Sequence, residues 1–415
     1  MRILKSSQGL ALFTVIFVMA FFLLFVTGGL LFSRLELKKS SNLRFEVQAV
    51  EVADAGLQHA LALIPWLWDF NAQLGCGSPP CTLVPDASFP AGSGFSYTVT
   101  ARNNSDGGGA SNDTDKVIVL TSQSSGPGSS RRSVEAYIRR SVAAFAPPGA
   151  LYVNAASASP VADSSNPSAE YFFDYDNNVR VIGNDTNTNG TPGPNGPVWG
   201  VAATNSAVTD ALTAEYTGQY PGGSTGMQLH DVMYTAQGVD VEPAIDTVSD
   251  VLDIDAIAGN FFGQAGTVKY LNGLTTDATA CPSSNPCQLG TSAAPQITYI
   301  KETYDTDLTI LKGYVTGYGV LVFEGRPIIA ENFKFYGLIV HQRSNGSASI
   351  SFEDSANVYG GVLLGSYDEG DGKKARFGLK DNVRLYYSSQ ALAAVDSNWG
   401  TLLPKPPRVF AWLDK

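Results

Sequence analysis

Histidine is almost missing from this chain: His59, His230 and His341 are the full set among 415 residues. Cysteine is nearly as scarce, at four. These shortages argue against the common zinc centres, which want CxxC knuckles or several imidazoles close together. They leave no Ser-His-Asp or Cys-His arrangement to read, and no glycine-rich phosphate motif is visible. Charge is thin as well, at 16% of residues, with a net of −11. What positive charge there is gathers early: residues 1–44 hold six basic residues and one acidic, so the remainder carries 21 basic and 37 acidic residues. A body at −16 does not bind nucleic acid by neutralising phosphates. Proline is absent before Pro65, and no charged residue lies between Leu10 and Phe32.

That last pair of absences defines the longest element. After the leader MRILKSSQG, Leu10 to Phe32 is an apolar run of 23 residues, and a bilayer-spanning helix needs roughly 20. The run is too long for the core of an ordinary secretory signal, and no small-residue cleavage site follows Phe32. Beyond it Leu43, Val47, Val50, Leu57, Leu61 and Ile64 recur at spacings of three and four, with Asp54 filling the one missing step and Ala53 beside it, an apolar stripe on a helix that Pro65 ends. The pattern predicts one helix of about 55 residues, roughly 80 Å long. Gly28 and Gly29 cost helix propensity of about 1 kcal/mol each and predict a kink or a melted turn.

The leader ending in Gly9, the run LALFTVI from Leu10, and VADAGLQHAL over Val52 to Leu61 together resemble type IV pilin-like proteins, specifically the PilX-like minor pilins, whose signature there reads AEAGL. The resemblance implies cleavage after Gly9 by a prepilin peptidase, Leu10 as the new N-terminus, and other pilin subunits, the membrane and a tip adhesin as partners. It also implies an inner-membrane anchor with a periplasmic body that later reaches the pilus or cell surface. Major pilins place a glutamate at the fifth mature position, where it neutralises a neighbour's terminal amine. Here that position is Thr14, which points to a minor or terminal subunit. The competing reading is an uncleaved single-pass anchor with a helical stalk. Arg34, Lys38 and Lys39 flank the far end of the apolar run, so the positive-inside rule gives no orientation.

The cysteines fall in two close pairs, Cys76 with Cys81 and Cys281 with Cys287, in loops rich in Pro, Ser and Gly. They read as local disulfides in an oxidising compartment. From 67 to 148 the pattern is of strands: Phe95 to Ala101, Lys116 to Thr121 and Ser133 to Arg140, a three-stranded antiparallel meander that needs an apolar cover, with the stripe Leu43 to Ile64 the nearest candidate.

Pro147, Pro148 and Gly149 mark a boundary. After it Asp307, Asn332, Asn357 and Asn382 recur at intervals of 25 residues, with short apolar strands at Tyr318 to Phe323, Tyr336 to Val340 and Gly360 to Leu364. A period of this length with Asn, Asp and Gly corners predicts a solenoid, a parallel β-helix by its β-branched content. Tyr171 to Val201 offers further rungs, and Glu242 to Gly263 reads as one or two inserted helices. The fold expected is therefore α+β: leader 1–9, helix 10–66, pilin-like meander 67–148 and β-helix-like domain 149–415.

Two loops raise metal chemistry. Asp185, Asn187, Asn189 and Gly190 fit the first half of a calcium loop, though Gly196 stands where a bidentate glutamate belongs and Asp174 or Asp176 would have to substitute. Asp368 to Gly372 reads as a solvated turn. Paired carboxylates such as Glu353 with Asp354, or Asp381 one rung away, have the chemistry for acid and base roles, but adjacent strand residues point to opposite faces. No catalysis is expected. The expected function is a minor pilin-like subunit acting in filament initiation or at the tip, the alternatives being a secretion-type pseudopilin or an anchored adhesive, glycan-binding surface protein.

Overall fold

A computed structural model describes residues 7–154, 171–173, 179–206, 208–210, 212–213, 234–236, 239–241, 244–249, 251–303, 309–342, 348–365, 375–379 and 382–414. The chain forms two compact units: Met1–Ile64, Asp69–Arg140 and Pro407–Lys415 make one, and Pro65–Trp68 with Ser141–Pro406 make the other.

In the first unit the helix Ser7–Leu63 runs without interruption. Gly28 and Gly29 do not kink it. The Thr27 hydroxyl donates to the Leu23 and Leu24 carbonyls at 2.7 and 3.1 Å, the turn staying closed beside them. The sheet beside the helix has five antiparallel strands, in the order Cys81–Ser88, Ser96–Asn103, Val117–Ser125, Arg131–Arg140 and Pro407–Asp414. Three of these correspond to the expected meander. Cys81–Ser88 adds a strand beyond the expected three, and Pro407–Asp414 falls inside the expected 149–415 segment but pairs with Arg131–Arg140 and so belongs to the first unit.

Among the described residues the second unit has one separate antiparallel pair, Tyr234–Ala236 and Val239–Val241, and is built on two large sheets whose pairings are all parallel. The chain alternates between them, from Val315–Glu324 to Ile328–Ile329, then Lys334–Gln342, Ala348–Phe352, Asn357–Leu364, Ala375–Leu379 and Arg384–Tyr387. Each visit adds one strand beside the last. Strands such as Val320 to Phe323 are buried at consecutive positions, as parallel strands covered on both faces must be. Rows stack in register, Val322 on Val340 on Leu363 on Tyr152, and Ile329 on Phe352 on Leu379. Tyr171–Phe173, Arg180–Ile182 and Trp199–Ala203 join these sheets, as the earlier rung reading expected.

The register corrects the 25-residue period. Thr316 pairs with Lys334, Lys334 with Asn357, and Asn357 with Arg384. The equivalent corners are Asn332, Ser355 and Asn382, which all take the left-handed conformation at φ 59, 71 and 62; Asn357 is a strand residue. The repeated unit is a Tyr-Gly pair. Gly319, Gly337 and Gly360 align at φ 119, 144 and 147, and a Cβ on Gly337 would meet the Gly319 carbonyl. Asp307, the first corner proposed, lies outside the described residues.

Two helices cover the wider sheet. Ile254–Gly263 buries Ile254, Ile257, Ala258 and Phe261, capped by the Asp253 carboxylate on the Ala256 amide. Ser389–Trp399 buries Ala391, Leu392 and Val395, capped by Ser388. Within the expected helical insertion Glu242 to Gly263, Ile245–Thr247 is a strand paired in parallel with Val201 to Ala203, where the sheet edge supplies its backbone partners.

Candidate functional site

The stalk helix is the feature on which a function can be built. Its first half is bare: the large apolar side chains from Leu12 to Phe32 are 44–73% exposed. This stretch is long and apolar enough to cross a membrane. Thr14 lies on it, and Gly9 and Leu10 precede it within the same helix.

The second half packs on the sheet through small residues. Ala49, Val52, Ala53, Leu57, Ala60 and Ile64 are buried, at helical spacing, whereas Leu43 and Val47 of the expected stripe are 63% and 54% exposed. The apolar side chains marked the helix correctly, but the face in contact is turned toward the alanines. Gly56 shows why. A Cβ there would lie 2.5 Å from the Ser122 hydroxyl and 2.8 Å from the Tyr97 ring. Helix and sheet are so close that Ser124 Oγ donates to the Ala49 carbonyl at 2.7 Å. His59 Nδ1 meets the Tyr97 hydroxyl at 2.8 Å on the same flank. The stretch VADAGL is thus a docking face, with Asp54 at its margin. Beside it a cavity of about 320 Å³ opens between the helix and the loop after Ser88, walled by Phe45, Val52, Phe89 and Phe95 with Glu51 at its edge.

Both disulfides are local: Cys76 is joined to Cys81 and Cys281 to Cys287. At Asp185, Asn187 and Asn189, read from the sequence as a calcium loop, the Asp185 and Asn189 oxygens accept hydrogen bonds from the protein itself. Asp185 is buried, and its carboxylate accepts from the Ser389 amide at 2.8 Å, the Ser389 hydroxyl at 2.7 Å and the Asn195 amide at 2.9 Å. A carboxylate at the start of the helix Ser389–Trp399 is where the helix dipole favours one. Asn187 spends its amide on Thr191 and Pro192, and Asn189 Oδ1 accepts from Thr191. Asp174, Asp176 and Asp368 to Gly372 lie outside the described residues, as does Asp381; Glu353 accepts from the Ser351 hydroxyl at 2.7 Å.

The sequence reading passed over a second acidic loop. Asp106, Asp113 and Asp115 bring carboxylate oxygens within 4.8 Å of one another. Their oxygens are occupied by the loop itself: Asp106 accepts from Thr114 and Gly108, and buried Asp113 accepts from the amides of Phe70, Lys116 and Val117. The Thr114 hydroxyl and amide, with Gly108, hold the Asp106 carboxyl well below the usual range. This is a loop stapled by carboxylates.

No protein-family model matches the chain, and no curated protein matches it. Among solved structures, the competence-associated pilin ComZ from Thermus thermophilus aligns over 90% of this chain and 98% of its own at 12% identity, with a TM-score of 0.21. A superposition that loose carries no argument.

Proposed function

We propose that the chain is a type IV pilin-like minor subunit of the PilX-like kind, anchored by Leu10 to Phe32 and acting where a filament starts or at its tip. The observation that supports this reading is the division of a single continuous helix into a bare apolar half and a half laid on an antiparallel sheet through small residues centred on Gly56. A helix built this way can leave the bilayer as a unit and exchange lipid for the helices of neighbouring subunits. In this proposal a prepilin peptidase cuts after Gly9. The body faces the periplasm, where its disulfides form, and later the cell surface; the parallel sheets are the walls of a β-helix displayed there, and the role is structural. Thr14 in place of a charge-pairing glutamate supports few copies over a repeated shaft position, since a bare carboxylate in lipid is costly without its partner. Mass measurement of the membrane-extracted protein tests processing: a chain beginning at Leu10 is expected, and one retaining Met1 returns the reading to a simple anchor. Immunogold labelling tests position. Label at filament ends is expected, and regular label along the shaft would overturn the tip assignment.

A further inference from the structure

The wider parallel sheet carries an ordered feature that filament assembly does not use. Tyr318, Tyr336, Tyr359 and Tyr386 occupy the same register position on four successive strands. Their rings stack face to face, with centroids 4.6, 5.3 and 4.9 Å apart and planes within 18° of parallel. All four are half-buried on the outer face. Two residues earlier on each strand, hence on the same face, the next row reads Thr316, Lys334, Asn357 and Arg384, continued by Arg180. Glu331, in the corner before Lys334, is held by Lys312 at 3.7 Å.

We propose that this double row, stacked tyrosines beside Lys334, Arg384 and Arg180, is a binding strip for a linear acidic polysaccharide lying across the strands. The chemistry of the strip selects the ligand. Because each ring covers its neighbour's face, the two inner tyrosines have no open π-surface on which a nucleobase could stack, which is what single-strand binding relies on. What the ladder turns outward is ring edges and a line of hydroxyls repeating at roughly the 4.8 Å inter-strand spacing. Burial and the neighbouring rings raise the pKa of Tyr336 and Tyr359, so these hydroxyls stay protonated and available as donors. Arg384 opposes that shift at Tyr359, and it stands two residues before Tyr386 on the neighbouring strand. A row of hydroxyl donors beside a row of cations suits a polymer presenting carboxylates and hydroxyls at regular intervals. The chain as a whole is acidic, at a net of −11, so a row of cations sets this strip apart and would place such a polymer in one track.

The test uses the full-length, detergent-extracted protein and polygalacturonate as probe, with neutral dextran and single-stranded DNA as comparators, read by biolayer interferometry at low and high salt. Salt-sensitive binding of polygalacturonate is expected, with dextran and DNA weaker. Lys334→Glu with Arg384→Glu should weaken it about tenfold or more, as rim charges that steer an ionic ligand do. Tyr336→Phe with Tyr359→Phe keeps the stack and removes two hydroxyls; a loss of about threefold or more is expected. If the charge-reversed protein fails to fold by circular dichroism, Lys334→Gln with Arg384→Gln replaces it. Absence of polygalacturonate binding, equal binding by the charge variant, equal binding of dextran, or tighter binding of DNA would each overturn the proposal. Filament number in cells carrying the same variants should be unchanged, so a failed strip and a failed pilin reading give different results.

Discussion

The two units solve the same problem, how to bring backbone close to backbone, by opposite means. In the first, one long helix presses on an antiparallel sheet, and closeness comes from small residues on the helix: Ala49, Ala53, Gly56 and Ala60. In the second, strands of the same kind repeat, and closeness comes from glycines in register, Gly319, Gly337 and Gly360, with rows of large side chains filling the space between sheets. The first arrangement depends on one interface, so errors along it are local. The second depends on a repeated geometry, and an error in one rung is passed to the strands on either side. Substitutions of equal size should therefore cost more in the parallel unit.

The largest effect is expected at Gly337→Val. The position has φ 144 and a Cβ there would meet the Gly319 carbonyl, so strain and clash together should cost about 4 kcal/mol or more. Chemical denaturation followed by limited proteolysis checks it. Fragments from 141–406 should be released first, and a variant as stable as the parent would remove the basis for the contrast.

Next is a pH effect confined to the parallel unit. His341 is fully buried on Lys334–Gln342, with Nε2 3.0 Å from the Gly325 carbonyl and Nδ1 without a partner. Burial lowers its pKa to about 4, opposed by that hydrogen bond. Between that value and the unfolded 6.5 the unfolded chain binds the extra proton, so stability rises with pH across this window. Lowering pH from 6.5 to 4 should remove about 3 kcal/mol from this group. Urea midpoints across the window should fall in the parent, with a flatter dependence in His341→Gln; parallel slopes would show that other groups carry it.

In the first unit, Gly56→Ala adds one methyl against Ser122 and Tyr97. Overpacking of this kind costs about 2 kcal/mol. The prediction is a lowered thermal midpoint for the sheet unit, while Ala55→Gly, a neighbour on the half-buried flank, should lose only helix propensity of about 1 kcal/mol. If the two cost the same, Gly56 is not the contact point.

How much of this was legible in the sequence follows from how local each signal is. The stalk was readable because its causes, a charge-free run and Pro65, are contiguous. Of its stripe Leu57 and Ile64 are buried while Leu43 and Val47 are exposed, because the contact face also takes in Ala49, Ala53, Gly56 and Ala60, small residues that a count of large apolar side chains passes over. The strand Pro407–Asp414 could not be seen, because its partner Arg131–Arg140 lies more than two hundred residues upstream. Asp185 shows the same limit at the candidate site: alternating Asp and Asn oxygens suit a calcium ion and a stapled turn equally, and the bond from Ser389, 204 residues away, leaves no trace in the local pattern. The tyrosine ladder was in plain view as a repeated Tyr-Gly pair, but its changing loop lengths hid the register behind a regular spacing of asparagines.

That misread spacing yields the smallest and sharpest prediction. Asn332, Asn357 and Asn382 stand 25 residues apart, and by sequence they are equivalent. By conformation they are not: Asn332 and Asn382 hold the left-handed region, which an ordinary L-residue enters at about 1 to 2 kcal/mol, while Asn357 is extended and donates to the Ser355 carbonyl at 2.8 Å from an exposed position. Asn332→Ala and Asn382→Ala should each cost about 1 kcal/mol, Asn357→Ala less than about 0.5 kcal/mol. Asn332→Gly should be close to neutral, since glycine takes φ above zero without a Cβ to obstruct it. Three denaturation curves separate the two repeats. Equal losses at all three asparagines would favour the constant 25-residue period, whereas a loss at the outer two alone follows the parallel register, in which Ser355 is the corner between them.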